Sequence, residues 1–409
     1  MPTPRTTQAQ AQAAVDLVNA HGSITQAARA ARMPRETLQK RIDTARNFFN
    51  LALAAPPAAP VAAAVQAVPS RDDTRTRDLI QRLKRELETA NRELNAGDDL
   101  REAVFRLAAA AVNPPAWAAK AKPHGGGEEM PILFASDFQW GEVINAREMD
   151  GINEFNINIA RDRYRRLIAK TIEIAFHHRV HPEYPGVIYL RGGDMISGDI
   201  HQELRETNDA SSIPAVLDLA AEEKRGILEL KKAFGNVWVI SVPGNHGRQT
   251  VKPQSKRYAE TNYDYLLAML LEREFANDPA VQFYSPPSGD ALFDVFGYRF
   301  LLTHGDRIGS RGGQGFIGPA ATISRGMRKL HDFYSRLGTH IDHILLGHFH
   351  TALELDAGFS NGSLPGYSEY ARDGRMSIKP PEQWLLFVHP KHSISGRWLI
   401  ALEDRPRMQ

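Results

Sequence analysis

The chain has 409 residues, enough to bury a sizeable core and to hold more than one folded unit. Its formal charge is nearly balanced at +2, so the whole chain argues for no nucleic-acid, membrane or acidic partner, and any such argument has to be local. It has no cysteine, which excludes disulfides, thiolate zinc sites and cysteine nucleophiles together and leaves metal ligation to His, Asp, Glu, Asn and Gln.

In chain order, the N-terminus lacks the charged start and continuous apolar core of a signal peptide. The Ala-rich stretch from Leu51 to Val68 is interrupted by Pro56, Pro57 and Pro60, which rules it out as a membrane span. A cytoplasmic protein with no membrane association follows. Residues 1–50 hold seven Lys/Arg against three Asp/Glu, with Val15, Val18, Ile24, Ala28, Leu38 and Ile42 at helical spacing, and read as a small basic helical domain. Small residues at Ala27 and Ala28 permit a close helix crossing, Arg32-Met33-Pro34 supplies a turn, and proline is tolerated where a second helix opens. From Gly22 to Ile42 the segment resembles a helix-turn-helix of the Fis-like or resolvase-like kind. That resemblance implies DNA as a partner, with Arg35, Glu36, Gln39 and Lys40 on the outer part of the second helix to meet base edges and phosphates, and Arg41 and Arg46 adding backbone contacts.

Residues 51–70 are almost entirely Ala, Pro and Val and read as a semi-rigid linker. Residues 71–112 turn charged, and Ile80, Leu83, Leu87, Ala90 and Leu94 repeat at alternating spacings of three and four, a heptad seam of about two repeats. Such a helix either packs on the rest of the chain or forms a homodimer through residues 80–94 as a short coiled coil.

After Asn113-Pro114-Pro115 and Gly125-Gly126-Gly127 the character changes. Short apolar runs of strand length (Pro131 to Ala135, Val187 to Leu190, Val237 to Val242, Phe300 to Thr303, His343 to Leu346) alternate with segments of helical spacing such as Ile159 to Ala175 and Tyr263 to Phe275. Trp384 to Val388 and Ile394 to Ala401 read as closing strands. Residues 130–403 are therefore an α/β domain.

Each of the five runs ends in a residue that can bind metal or move a proton: Asp137 and Gln139, Asp194, Asn245 and His246, His304 and Asp306, His348 and His350. In α/β sheets, ligands bind outside the carboxyl ends of the strands, so five loops spread over the sequence can meet in one crevice. On an extended segment, alternate residues point the same way, which would pair Asp137 with Gln139 and His348 with His350. Singly, a Gly-Asp turn or a His-x-His strand edge is commonplace.

Together and in this order the motifs resemble those of the calcineurin-like metallophosphoesterases, which run D-x-H, G-D, G-N-H, H and G-H-x-H at successive strand ends. The resemblance spans about Met130 to Glu403, and its last four motifs match closely. It implies two packed β-sheets flanked by helices, a four-layer sandwich, and two divalent metal ions, manganese favoured, with Fe, Zn or Mg as alternatives. Asp194 would bridge the ions, Asp137, Gln139 and His350 would hold the first, and Asn245, His304 and His348 the second, with His246 as general acid. Two ions about 4 Å apart activate a water and clamp both reacting oxygens of an in-line displacement. Arg248, Arg307 and Arg311 follow the third and fourth motifs as candidates to grip substrate phosphate, and His201 lies seven residues after Asp194.

Two departures stand out. Gln139 occupies a position usually held by His, which should weaken the first metal site, and Gly247 stands where an acidic residue often follows Asn-His, leaving Asp306 or Asp194 to orient His246. The favoured function is a phosphodiesterase or nuclease acting on DNA. The alternatives are a protein or small-molecule phosphatase, against which the missing Arg of G-D-x-x-D-R-G argues at Gly193 to Gly198, and a DNA-binding regulator with an inactive phosphoesterase fold.

Overall fold

The computed structural model describes residues 6–51, 114–119, 129–178, 183–308 and 319–404. The linker, the heptad seam at residues 80–94 and Arg311 lie outside the described residues. The chain divides into two compact units, residues 1–87 and 88–409.

Among its described residues the first unit has three helices, α1 (Gln8–His21), α2 (Ile24–Ala30) and α3 (Arg35–Phe49). Local chemistry sets their limits. Thr7 and Gln10 form a reciprocal capping box at the start of α1, Gly22 ends it at φ +70°, and the Ser23 hydroxyl accepts from Gln26 N–H to start α2. Ala11, Ala14, Val15, Val18, Ala27, Ala28, Leu38, Ile42 and Ala45 form one buried cluster, so the small alanines do let the helices approach closely. Arg35, Glu36 and Lys40 are exposed on α3, Gln39 and Arg41 are half-buried, and the Gln39 amide donates to Asp43.

The second unit is mixed α/β. In order it runs α4 (Ala116–Ala119), β1 (Met130–Ala135), α5 (Ile157–His177), β2 (Val187–Arg191), α6 (Gln202–Thr207), α7 (Ser212–Phe234), β3 (Val237–Ser241), α8 (Tyr263–Glu274), β4 (Val281–Tyr284), β5 (Asp290–Val295), β6 (Tyr298–Thr303), α9 (Ala320–Arg336), β7 (His343–Leu346), β8 (Leu353–Leu355), β9 (Gly358–Ser360), α10 (Glu369–Asp373), β10 (Glu382–His389) and β11 (Ser393–Ala401). Two sheets result, a six-stranded one in the order β11-β10-β1-β2-β3-β4 and a five-stranded one in the order β5-β6-β7-β9-β8. β1 to β4 are parallel, as are β6, β7 and β9.

The parallel strands are apolar on both faces because both are covered. Ile132, Phe134, Ile188, Leu190, Trp238 and Ile240 share a buried cluster with Phe293, Phe300, Leu302 and Leu345 of the other sheet. The alternate residues Leu133, Val187, Tyr189, Val237 and Val239 cluster instead with Leu167 of α5, Leu219 and Leu230 of α7, and Leu267 of α8. Behind the second sheet, Leu301, Ile344 and Leu346 meet Ile323 and Met327 of α9. Each such side chain contributes about 1.5–3 kcal/mol by leaving water, so the two-residue period of the strands fixes their register. Packing also begins before residue 130: Ala118 is fully buried in the inter-sheet cluster and its carbonyl accepts from Phe296 N–H.

Candidate metal centre

Five of the parallel strands end at the same region, and their following loops carry every residue singled out around the metal motifs. Asp137 and Gln139 follow β1, Asp194 follows β2, Asn245 and His246 follow β3, His304 follows β6, and His348 and His350 follow β7. The extended geometry anticipated for Asp137/Gln139 and His348/His350 is not what pairs them. Asp137, Gln139, Asp194, His348 and His350 all have left-handed backbones, with φ of +54°, +46°, +52°, +70° and +47°. Non-glycine residues held there cost of order 1–3 kcal/mol each, and such strain gathers where the surroundings over-determine it, often at functional sites. Here the loops are tied to one another: Asp137 N–H donates to Gly193 O, Gln139 N–H to Asp194 O, Gly347 N–H to His304 O, and His348 N–H to the Asp137 carboxylate at 2.9 and 3.1 Å.

The donor atoms face inward. His304 Nδ1 lies 2.8 Å from Gly192 O, which places a ring proton on Nδ1 and turns Nε2 toward Asp194 Oδ2 at 3.1 Å. That approach has no hydrogen-bond geometry, and His304 Nε2 is buried without a partner, as are Gln139 Oε1 and Asn245 Oδ1. An imidazole nitrogen set against a carboxylate, in a site with two unpartnered amide oxygens, is a donor set that suits a divalent cation. The available donor atoms of Asp194, His304 and His348 lie within 4.8 Å of one another. On the other side, Gln139 donates its amide N–H to Asp194 Oδ2 at 3.3 Å, and His350 Nε2 stands 3.3 Å from Asp137 Oδ1.

The electrostatics agree with the geometry. Burial raises the Asp194 carboxyl, but His304 and His246 together with the His246 N–H outweigh it and hold the group well below the usual carboxylate range. Burial likewise opposes charge on His304, yet Asp194 pushes that imidazole up to about 10. His348 moves the other way, down to about 4, through burial and the neighbouring His304. A proton on His304 thus does what a divalent cation would do there, neutralising a buried carboxylate.

His246 is set apart from this cluster. Its backbone N–H donates to Asp194 Oδ1 at 2.7 Å, its Nδ1 meets Ser197 O at 2.9 Å, and its Nε2 stands 4.0 Å from Asp194 Oδ2. The group orienting its ring is therefore the Ser197 carbonyl rather than Asp194 or Asp306; Asp306 instead accepts from the Tyr258 hydroxyl. An acidic residue at 247 would not fit, since a Cβ there would fall 2.4 Å from Asn262 Oδ1 and 2.9 Å from the Asp264 carboxyl carbon. The buried Asp264 carboxylate accepts from Gly244 N–H and Met195 N–H, bracing the loops of β2 and β3, and burial followed by Asp194 pushes its pKa up to about 6.

Of the arginines, Arg248 bonds the carbonyls of Thr250 and Val251 in its own loop, and Arg307 pairs with Asp290 while lying over the Tyr258 ring at 4.5 Å. Both guanidinium groups therefore have protein partners. Sequence reasoning missed the buried support of Asp137: Ser136 Oγ donates to its carboxylate, and the Asn361 side chain donates to Phe134 O, Ser136 Oγ and Gln383 Oε1. These residues come from distant strands and carry no local motif that marks them as a network.

No family model matches the chain, and no curated protein matches it. Among solved structures it is similar to a dimetal phosphatase from Danio rerio, at 11% identity and a TM-score of 0.31, covering 67% of this chain and 99% of that one. The sulfate thiohydrolase SoxB from Thermus thermophilus, in complex with glycerol, aligns at 10% identity and a TM-score of 0.27, over 69% of this chain and 57% of its own. A Thermotoga maritima protein solved by NMR aligns at 15% identity and a TM-score of 0.22, over 43% and 85%. At such low identities and TM-scores these likenesses carry no argument about activity, which rests on the chain's own residues. No described helix is long and apolar enough to cross a membrane.

Proposed function

We propose that the second unit is a dinuclear metal-dependent phosphoesterase, and within that class a phosphodiesterase or nuclease acting on DNA. The observation that carries the reading is the meeting of Asp194, His304 and His348, whose donor atoms lie within 4.8 Å of one another, in a site where His304 Nε2, Gln139 Oε1 and Asn245 Oδ1 are buried without a partner. Asp194, Asn245, His304 and His348 would hold one ion and Asp137, Gln139 and His350 the other, with Asp194 shared. The nitrogen and oxygen donors, with no sulfur, suit Mn, Fe or Zn better than Ca. When bound, two such ions supply Lewis-acid charge that neutralises the phosphoryl oxygens.

The protein's own residues supply the rest. Because Ser197 O holds Nδ1, the free edge of His246 is Nε2, beside Asp194 and able to protonate the departing oxygen, a step worth about two to four orders of magnitude. The packing of the two sheets on one another, with helices against each, supports this reading.

DNA is favoured as the substrate by the first unit, whose α3 presents Arg35 and Lys40 to solvent on a locally basic segment. The test combines a substrate panel with a truncation. Manganese-dependent hydrolysis of bis-p-nitrophenyl phosphate and of single- or double-stranded DNA supports the proposal. Exclusive cleavage of the monoester favours a phosphatase, and tight DNA retention with no turnover favours a regulator. Deleting residues 1–70 should weaken DNA binding at low salt and leave the small diester unaffected; unaltered DNA affinity would sink the targeting role.

A further inference from the structure

The loop between β2 and α6 is built onto His246. Ser197 O accepts from its ring, and Gly198, at φ +67°, lies so close that a Cβ on it would fall 2.1 Å from His246 O. Any larger residue there would push the loop away. From behind, Asn208 locks the same loop, pairing its Oδ1 with Ser197 Oγ and donating its Nδ2 to Gly198 O, while the Ser212 hydroxyl donates to Asp199. The residue this loop delivers is His201, at the start of α6, with its ring centroid 5.6 Å from that of His246 at an interplanar angle of 58°.

The two imidazoles are therefore neighbours, and His201 stands beside the proposed general acid on the loop that orients it. His201 is exposed, and its ring nitrogens have no hydrogen-bond partner among the described residues. We infer that His201 is a second substrate-contacting histidine, donating its ring N–H to the leaving-group oxygen of a phosphodiester beside His246. Burial, His246 and Arg248, in that order, lower its pKa, which favours the neutral ring with a single N–H to donate. In the reaction the phosphorus–leaving-oxygen bond breaks as a water oxygen bonds to phosphorus and releases one proton to solvent; the departing oxygen takes a proton from His246, which solvent then restores, and His201 contributes a hydrogen bond without exchanging a proton. The inference rests on the phosphodiesterase reading and extends it to an alkoxide leaving group, whose charge needs that second donor.

The test compares wild type, His201→Ala and His201→Gln on two diesters with one nucleoside in common. One is thymidine 5′-p-nitrophenyl phosphate, whose nitrophenolate departs without a proton, and the other is the dinucleotide thymidylyl-(3′→5′)-thymidine. The alanine variant should lose about tenfold in kcat/KM on the dinucleotide and less than about twofold on the nitrophenyl ester, the glutamine amide should restore part of the loss, and manganese content and Tm should match wild type. Equal losses on both substrates, a drop in metal content, or no loss on either would overturn the role of His201 while wild-type turnover keeps the phosphodiesterase reading intact. Wild type inactive on both diesters would remove that reading and His201's role with it.

Discussion

The two sides of the candidate metal centre are built differently. On one side Asp194, His304 and His348 bring their donor atoms within 4.8 Å of one another, and His304 Nε2 and Asn245 Oδ1 have no protein partner to displace. On the other, Asp137 already accepts from Ser136 Oγ and His348 N–H and meets His350 Nε2, and Gln139 spends its amide N–H on Asp194. Preorganised, unpaired donors bind a cation without first giving up hydrogen bonds, whereas saturated ones must exchange them. On the proposed reading the Asp137 side, whose carboxylate must exchange these bonds although Gln139 Oε1 is free, is the one that fills second and empties first.

The largest test of that asymmetry is removal of the residue both sides share. Asp194→Asn should lose both ions by elemental analysis and cut diester hydrolysis by about three orders of magnitude, and retention of one ion would show that Asp194 is not shared. His246→Ala should cost about two to four orders of magnitude in kcat with metal content unchanged, and a parallel loss of metal would make it a ligand instead. Asn361→Ala removes three donated hydrogen bonds, to Phe134 O, Ser136 Oγ and Gln383 Oε1, and the acceptor of Trp384 N–H, so it should cost about 1–3 kcal/mol in urea unfolding and weaken the Asp137-side ion first; equal weakening of both ions would break the comparison. Smallest, Gln139→His should tighten the weaker site about tenfold in calorimetric titration and preserve activity, and unchanged stoichiometry and affinity would exclude Gln139 as a ligand.

Much of this was legible in the chain itself. The five strand runs and both helices read from their periodicity appear as β1, β2, β3, β6, β7, α5 and α8, because a two-residue or helical apolar period is a local property. What the sequence hid was non-local. Asn361 and Gln383 act on Asp137 across more than two hundred residues, and the Ser197 carbonyl, a backbone group, does the orienting that a carboxylate was expected to do for His246. The left-handed backbones of Asp137 and Gln139 were likewise invisible, since they are imposed by hydrogen bonds from the Asp194 loop rather than by their own residue types.

The most direct measurement is an anomalous diffraction map from crystals soaked in manganese. The account predicts a strong peak among Asp194, Asn245, His304 and His348 at low manganese, with a second beside Asp137 and Gln139 appearing only at higher concentration. A map with no peak at either position under saturating manganese would contradict it.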